Sequence, residues 1–290
     1  MKSSNIGGQA VMEGVMMRNA DKYAVAVRKT DGEIVVKTEE YKGIVQNKKI
    51  RSLPIIRGVF SFIDSMVLGM STLTYSASFF MDEEEEEKDE KKESVMMGLT
   101  IACSVVMAVA IFMILPYFLS QLFRKFTDST TLITLLEGAV RLVIFFGYIL
   151  LISRMKDIQR VFMYHGAEHK CINCIEHGME LNVENVLKSS RLHKRCGTSF
   201  LFIVMIVSII FFLFIRIESP IWRVVFRLLL IPVIAGVSFE FIRLAGKSEN
   251  KLVILLSKPG MMLQKLTTRE PDASMAEVAI ASVEAVFDWR

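Results

Sequence analysis

The chain has 290 residues, of which 52% are apolar and 23% are charged, and its mean hydropathy is +0.41. This hydropathy is too high for an ordinary soluble domain, and the chain is too long for one core unless part of it lies in lipid. Its glycine, proline and cysteine contents exclude a collagen-like, disulfide-stapled or disordered chain. The composition is that of an integral membrane protein.

The charges are distributed unevenly along the chain. The formal net charge is +4, yet residues 82–93 (DEEEEEKDEKKE) alone carry −6, which leaves +10 on the rest. The acidic run is typical of a solvated linker. The basic residues are spread out without interleaved aromatic residues, which argues against a nucleic-acid partner and makes them signals of membrane topology.

The first 53 residues are expected to form a cytoplasmic segment. It begins with the glycine-rich stretch GGQAVMEGVMMR, in which Gly7 and Gly8 permit a close approach of another part of the chain. Glu13 and Arg18 are polar groups in this otherwise apolar stretch, and they are candidates for lining a substrate pocket.

A β-hairpin and a helix are predicted next. Residues 23–41 form two strand patterns around Asp31-Gly32, a strong turn signal. Residues 54–81 then repeat apolar side chains at helical spacing, which predicts an amphipathic helix that either lies in the membrane interface or packs on the helix bundle.

Four stretches predict transmembrane helices: 95–119, 132–153, 199–215 and 221–243. They form two hairpins, 94–153 and 199–245. Glu137 and Arg141 stand one helical turn apart in the second stretch and can neutralise each other. The predicted fold class is mainly α: a polytopic helical membrane protein of about four spans with a small N-terminal β-hairpin and an amphipathic helix.

Lysine and arginine residues predict the orientation in the membrane. The loop 154–198 carries eight of them, whereas the loop 120–131 carries two. Because basic loops stay in the cytoplasm, we expect both termini and the 154–198 loop on that side of the cytoplasmic membrane. In the tail, 246–290, Ser274 and Glu277 have capping-box spacing, which predicts an amphipathic helix through Phe287.

All four histidines and three of the four cysteines fall in the 154–198 loop. His165 and His169 stand at i and i+4, with Glu168 between them in an H-x-x-E-H arrangement. On a helix, both imidazoles reach one metal ion and Glu168 can take a proton from a water that the ion activates, in the order used by the inverzincins. Zinc is the first choice of divalent metal, although iron, manganese and cobalt accept similar ligands.

A catalytic zinc ion needs a third protein ligand. His193, just before the third predicted span, is the first candidate. Glu240, near the cytoplasmic end of the fourth, is the second, although it can instead pair with Arg243. Glu176 and Cys196 are further candidates, either as ligands or as neighbours that orient a ligand.

Two other interpretations of the loop stay open. Cys171-x-x-Cys174-x-x-His177 together with Cys196 has the spacing of a structural zinc knuckle, which requires the helix to break there. The loop can also lack a metal altogether and lie against anionic lipid headgroups.

Four separated motifs give the chain a family resemblance. GGQAVMEGVMMR, YHGAEHKCINCIEHG, LHKRCGTSF and TTREPDASMAEVAIA together resemble the YqhQ-like family of mostly bacterial membrane proteins, described as predicted metal-dependent enzymes. The resemblance covers almost the whole chain. It draws attention to the residues that match these motifs and their surroundings: His165, Glu168, His169, His193, Cys196, Glu240, Glu270 and Glu277.

The sequence therefore predicts a membrane metalloenzyme that carries out a hydrolysis at the cytoplasmic face, with His165, His169 and His193 as ligands and Glu168 as general base. Membrane lipid is the expected partner, and a homo-oligomer is left open. One alternative is a non-enzymatic membrane scaffold or assembly factor with a structural Cys/His loop. Another is a transport-related protein, which would need ionisable groups deep in the spans.

Overall fold

The computed structural model describes residue 4 and residues 6–80, 90–215, 217, 219–248 and 250–289, with the backbone alone at 48, 90–94 and 247. The linker predicted over 82–93 lies outside the described residues up to position 89. The chain divides into two compact units. The first comprises Met1–Phe80, Ile152–Val204 and Pro232–Arg290, and the second comprises Met81–Leu151 and Met205–Ile231.

Helices make up most of the described chain. In order they are α1 (Lys48–Ser52), α2 (Ile56–Ala77), α3 (Glu90–Val109), α4 (Leu115–Gln121), α5 (Thr130–Ile152), α6 (Lys156–Glu176), α7 (Val183–Lys188), α8 (Gly197–Leu213), α9 (Pro220–Lys247), α10 (Lys251–Thr267) and α11 (Ala273–Glu284). A π-helical turn, Ala110–Ile114, joins α3 to α4 just before Pro116. Proline has no N–H to donate, so a locally altered helix at this point is expected.

An antiparallel sheet occupies the N-terminal part of the first unit. Its strands are β1 (Gly7–Val11), β2 (Gly14–Asn19), β3 (Lys22–Arg28) and β4 (Ile34–Glu40), in that spatial order. Strands β3 and β4 confirm the predicted hairpin, with Gly32 at φ +90° in the connecting loop. Strands β1 and β2 extend it into the glycine-rich stretch. Gly14 is needed there, because a Cβ atom would lie 2.2 Å from the carbonyl oxygen of Ala26.

The two central strands, β2 and β3, are buried on both faces within the first unit. Side chains alternate along β2 and β3, as the pleat requires. Val15 and Met17 point to a core built with α6 and α11, and Met16 and Val25 point to a second core with Leu68 of α2. The sheet therefore holds α2 on one face and α6 with α11 on the other.

Four helical segments in the described residues are long and apolar enough to cross a membrane: Ile56–Phe80, Val95–Lys125, Thr130–Ile152 and Pro220–Gly246. The number agrees with the prediction, but the set differs. The segment that contains α2 qualifies, although it is not among the four predicted spans, whereas α8 has only 17 residues.

The polar face of α2 is buried in protein, which explains why its sequence resembles an interfacial helix. Asp64 accepts hydrogen bonds from the Tyr41 hydroxyl at 3.1 Å and from the Ile44 N–H at 2.8 Å. The Ser76 hydroxyl oxygen accepts one from the Met12 N–H at 3.1 Å. The opposite face keeps large apolar side chains exposed, as at Met66.

The second unit contains a buried ion network. Glu137 accepts a hydrogen bond from Arg141 at 2.9 Å, as the sequence predicts, and two from Arg227 at 2.6 and 2.9 Å. Arg141 also donates to the Ser208 hydroxyl at 2.8 Å. Each of the three charged residues is at most 5% exposed. The predicted pair is thus one of two ion pairs that share Glu137.

The predicted C-terminal helix forms, but its N-cap differs from the prediction. Asp272, and not Ser274, caps α11 by accepting a hydrogen bond from the Met275 N–H at 2.9 Å. The Ser274 hydroxyl donates to Asp272 instead, and Glu277 pairs with Arg28 of β3. The carboxylate thus provides the cap that the sequence assigns to the hydroxyl.

Candidate metal centre

Helix α6 carries the H-x-x-E-H motif and runs unbroken through it. Gly166 lowers helix propensity, yet the position has no room for a side chain. A Cβ atom there would lie 2.0 Å from the carbonyl oxygen of Arg269. The Arg269 N–H also donates to the Phe162 carbonyl at 2.8 Å. The glycine therefore lets the segment after α10 lie directly against α6.

The two imidazoles of the motif are fixed by backbone carbonyls. Nδ1 of His165 lies 2.9 Å from the carbonyl oxygen of Thr267, and Nδ1 of His169 lies 2.6 Å from that of Arg191. A carbonyl oxygen only accepts, so each Nδ1 carries the proton and donates it. In the neutral form of each ring the lone pair is therefore on Nε2, which is the arrangement found in metal-ligating histidines.

Cys196 completes a compact group of three potential ligands with His165 and His169. The Sγ atom of Cys196 lies 3.3 Å from Nε2 of His165, and the three ligand atoms all lie within 4.8 Å of one another. All three side chains are buried or nearly so. Among the described residues, this is the only group of three or more His, Cys, Asp or Glu side chains arranged to hold a metal ion.

The electrostatics of the group favour a thiolate. Burial alone would raise the pKa of the Cys196 thiol, but His165 and His169 outweigh it and hold this pKa well below its usual range. Burial would likewise lower the pKa of His165, but Cys196 and Glu168 overcome it and raise this pKa to about 9. Thiolate and neutral imidazole are the forms that bind a metal. A metal cation can therefore replace the imidazole protons as the positive charge that stabilises the thiolate.

The spacing of the group fits zinc. Bond lengths of about 2.3 Å to sulfur and 2.0–2.1 Å to nitrogen place two tetrahedral ligand atoms about 3.6 Å apart. The observed 3.3 Å between Cys196 and His165 is close to this value. Two nitrogens and one thiolate are also a ligand set that zinc accepts in enzymes.

Glu168 lies beside the group. Its Oε2 atom is 3.8 Å from Nε2 of His165 and 3.9 Å from Nε2 of His169, and the residue is 5% exposed. Gly8 of β1 makes room for it, because a Cβ atom there would lie 2.7 Å from Cγ of Glu168. At Gly8 of the Gly-Gly pair, the backbone of β1 therefore packs closely against the side chain of Glu168, the candidate base.

His193 lies next to this group but makes a different contact. Its ring centroid is 5.9 Å from that of His169, and its Nε2 atom lies 3.3 Å from Oε2 of Glu176. Glu176 also pairs with Arg195 and accepts hydrogen bonds from Ser4. Of the four candidates for the third ligand, the geometry thus favours Cys196 over His193.

Glu240 and Glu13 lie in ion pairs. Glu240 binds Arg57 of α2 through two hydrogen bonds, one of them 2.6 Å long, and its Oε2 lies 4.0 Å from Arg243. Glu13 pairs with Arg160 of α6 and accepts a hydrogen bond from Tyr164 at 3.3 Å.

Arg18 does line a cavity, one of about 370 Å³ that also touches Gly8 and Gln9. Its guanidinium donates to the Ala20 carbonyl at 2.8 Å and lies 5.3 Å from the centre of the Tyr41 ring.

The knuckle cysteines are not brought together with Cys196. Cys171 and Cys174 are fully buried in the core between α6, α11 and the sheet. Helix α6 continues through both positions, so the break that a knuckle requires does not occur. His177 caps the end of α6, outside the group of three.

The contacts that fasten the site come from residues that sequence reasoning did not single out as structural. Lys170 is 3% exposed and donates to the carbonyls of Leu187 and Ser189 at 2.7 and 2.8 Å. Its ammonium also lies 2.9 Å from Glu270, a residue that the family resemblance had marked. Gln264, fully buried, donates to the His193 carbonyl at 2.7 Å. Contacts from the tail, 246–290, thus hold in place the loop that presents the ligands.

These features define a helical membrane-type protein with a buried His/His/Cys group, and the chain belongs to a family described as "Protein of unknown function (DUF1385)", whose model matches residues 53–289. Its curated relative "Uncharacterized protein YqhQ" from Bacillus subtilis (strain 168) is 37% identical over 287 residues. The alignment covers 95% of this chain and 90% of the relative. No solved structure matches. The YqhQ-like resemblance is therefore confirmed, and it assigns no activity.

Proposed function

We propose that this protein is a metal-dependent hydrolase of the cytoplasmic membrane, with its site at the cytoplasmic face. The observation that carries the proposal is the orientation of two buried imidazoles. His165 and His169 each donate Nδ1–H to a backbone carbonyl, and their Nε2 atoms lie close to one another and to the Cys196 thiolate. Backbone acceptors of this kind are the usual support of histidines that bind a metal.

Each side chain of the site has a distinct role in this proposal. His165, His169 and Cys196 hold the ion, for which zinc is the first choice. Three protein ligands leave one position open, which is typical of catalytic and not of structural zinc sites. The bound ion supplies Lewis acidity toward water and a carbonyl or phosphoryl oxygen. Glu168, within 4 Å of both imidazoles, accepts the proton from the attacking water and later releases it to the leaving group.

The cytoplasmic location rests on the charge distribution. The loop 154–198, which contains α6 and Cys196, carries eight lysine and arginine residues, and such loops are retained on the inner side. A reduced thiolate ligand is also what the cytoplasm maintains. Both termini belong on the same side under this rule.

Catalysis by the thiol itself is a second candidate. The 3.3 Å approach of Cys196 to His165, with a thiolate-stabilising environment, is also the arrangement of a cysteine nucleophile and its base. In that case the site works without a metal.

The first test is metal content per chain, measured by elemental mass spectrometry on detergent-purified protein without a polyhistidine tag. We expect about one equivalent of zinc in the wild type and background levels in the His165→Ala/His169→Ala variant. His177→Ala is the matched control, because this histidine is the C-cap residue of the same helix and lies outside the group. Absence of metal from freshly purified, folded wild type contradicts the proposal.

The second test separates an enzyme from a scaffold. Glu168→Gln should keep its zinc and lose product formation by about 10²–10⁴-fold, since it removes only the proton acceptor. Products are sought by mass spectrometry after the protein is incubated with membrane lipid and membrane-protein extracts. A scaffold with a structural metal predicts no product from wild type and an undisturbed cellular function of Glu168→Gln.

A further inference from the structure

A cavity of about 530 Å³ lies directly beside the candidate metal centre, within the first unit. His165 and Cys196 form part of its wall. Its volume is in the range of sites that enclose a whole small molecule. The cavity is therefore where a substrate of this site would be held.

The wall of the cavity is mostly apolar. Four phenylalanines contribute to it, with aliphatic neighbours at Leu201 and Ile242. The phenylalanines are Phe62, Phe162, Phe200 and Phe239. The rings of Phe62 and Phe200 pack with their centroids 5.6 Å apart. A wall of this kind selects an apolar group by removing it from water.

Three of the walling elements are apolar helices. Phe62 belongs to α2 and Phe239 to α9, both within segments long enough to span a membrane, and Phe200 belongs to the apolar helix α8. The cavity is therefore walled by helices that are suited to contact hydrocarbon. Polar groups line it as well, among them Gln9, Ser61 and Thr198. An apolar wall with a polar, reactive part fits a molecule that has the same two parts.

We infer that the cavity holds the acyl chain of a membrane lipid and brings its ester carbonyl to Cys196 and His165. This inference rests on the proposed hydrolase function and names its substrate class. In the reaction, water oxygen bonds to the carbonyl carbon and the ester bond from that carbon to the glycerol oxygen of the lipid breaks. Glu168 transfers the proton of the water to the departing alcohol, and a fatty acid is released.

The test uses palmitoyl lysophosphatidylglycerol with a photoactivatable diazirine in its acyl chain, added to the protein in lipid nanodiscs. Peptide mapping after illumination should find the label on the cavity-wall segments of α2, α8 and α9, above the level on exposed α3. Unlabelled palmitoyl lysophosphatidylglycerol should compete for the cavity sites.

Gly197→Leu is the blocking variant. Gly197 lines the cavity, and a Cβ atom there meets no heavy atom within 4 Å, so the larger side chain enters open space. Labelling of the cavity wall should fall about tenfold, because the leucine occupies the volume that the chain needs. Gly147→Leu is the matched control: it is another exposed helical glycine with the same free space, and it does not line the cavity. Its labelling should equal that of wild type.

Metal content is measured on the same samples, so that the two proposals can fail separately. Wild-type protein that contains zinc but shows no competable label on the cavity wall overturns the acyl-chain inference and leaves the metal proposal intact. Competable label on protein without metal overturns the metal proposal alone. Equal labelling of Gly197→Leu and wild type also overturns the inference.

Discussion

The Sγ atom of Cys196 lies 3.3 Å from Nε2 of His165, although 31 residues separate them in sequence. Helix α6 presents the imidazole, and the turn before α8 presents the thiol. Neither residue is informative alone, since a buried cysteine is usually a small apolar group. Their approach makes Cys196 a candidate functional residue, and it indicates which chemistry to test first.

Substitution of Cys196 distinguishes a metal ligand from a nucleophile. Cys196→Ala should lose zinc, whereas Cys196→Asp should retain a substantial part of it, because a carboxylate also ligates zinc. Metal analysis of the purified variants measures this. Cys103→Ala, which removes an exposed cysteine in α3, is the control and should bind zinc normally. If Cys196→Ala keeps a full equivalent of metal, the thiol is not a ligand, and this result favours the hypothesis that Cys196 is a nucleophile.

His193→Gln addresses the third ligand that the sequence favours. Because Nε2 of His193 contacts Glu176 and is not one of the three clustered ligand atoms, the glutamine variant should retain zinc. Its amide can still donate to Glu176, which keeps the fold intact. Elemental analysis beside His165→Ala checks the prediction. Loss of metal from a folded His193→Gln protein would restore His193 as a ligand.

Much of the fold could be predicted from the sequence because its signals are local. Hydrophobic length revealed most of the spans, Asp31-Gly32 revealed the hairpin, and helical spacing placed His165 and His169 on one face. The rest depends on contacts far apart in sequence. No pattern indicates that Gly166 lies under the Arg269 carbonyl, so the sequence shows its low helix propensity but not the packing that requires a glycine there.

The sequence ranks Cys196 below His193 and leaves the surroundings of α2 open for the same physical reason. Cys196 joins the site only through the turn that the Gln264 contacts to His193 hold in place. The polar face of α2 is buried against the sheet and the following loop, and a sequence does not show whether a polar face meets water or protein.

Gly8→Ala should impair catalysis without removing the metal. The added Cβ atom would lie 2.7 Å from Cγ of Glu168 and also 2.7 Å from the Met16 carbonyl oxygen, so the side chain of Glu168 has to move. A displacement of about 1 Å in a catalytic group can cost about 100-fold in rate. Product formation and zinc content are measured together.

The neighbouring glycine provides the control for this substitution. A Cβ atom at Gly7 meets no heavy atom within 4 Å, so Gly7→Ala should have wild-type activity. Equal activity of Gly8→Ala and Gly7→Ala shows that the position of Glu168 is not critical, which contradicts its role as the base.

Gly166→Ala tests the packing that presents the ligands. With only 2.0 Å between the new Cβ atom and the Arg269 carbonyl oxygen, the tail segment must shift away from α6, at a cost of about 1–3 kcal/mol. Because Thr267 orients His165, zinc should also bind more weakly. Gly147→Ala, an unobstructed helical glycine, should instead stabilise by about 0.5–1 kcal/mol. Thermal unfolding in detergent shows whether the two substitutions change the stability in opposite directions.

Glu137→Gln tests the buried network of the second unit. Removing this charge leaves Arg141 and Arg227 buried without their carboxylate, and breaking a buried ion pair in this way costs about 3–5 kcal/mol. We therefore expect a large fall in melting temperature with unchanged zinc content, since the network lies in the other unit.

Glu184→Gln is matched in chemistry, because Glu184 pairs with Lys188 at the same i, i+4 spacing but is exposed. Water solvates both Glu184 and Lys188, so the melting temperature of Glu184→Gln should stay at the wild-type value. Equal stability of the two variants would mean that the two arginines find other partners, and the network would not be what holds this unit together.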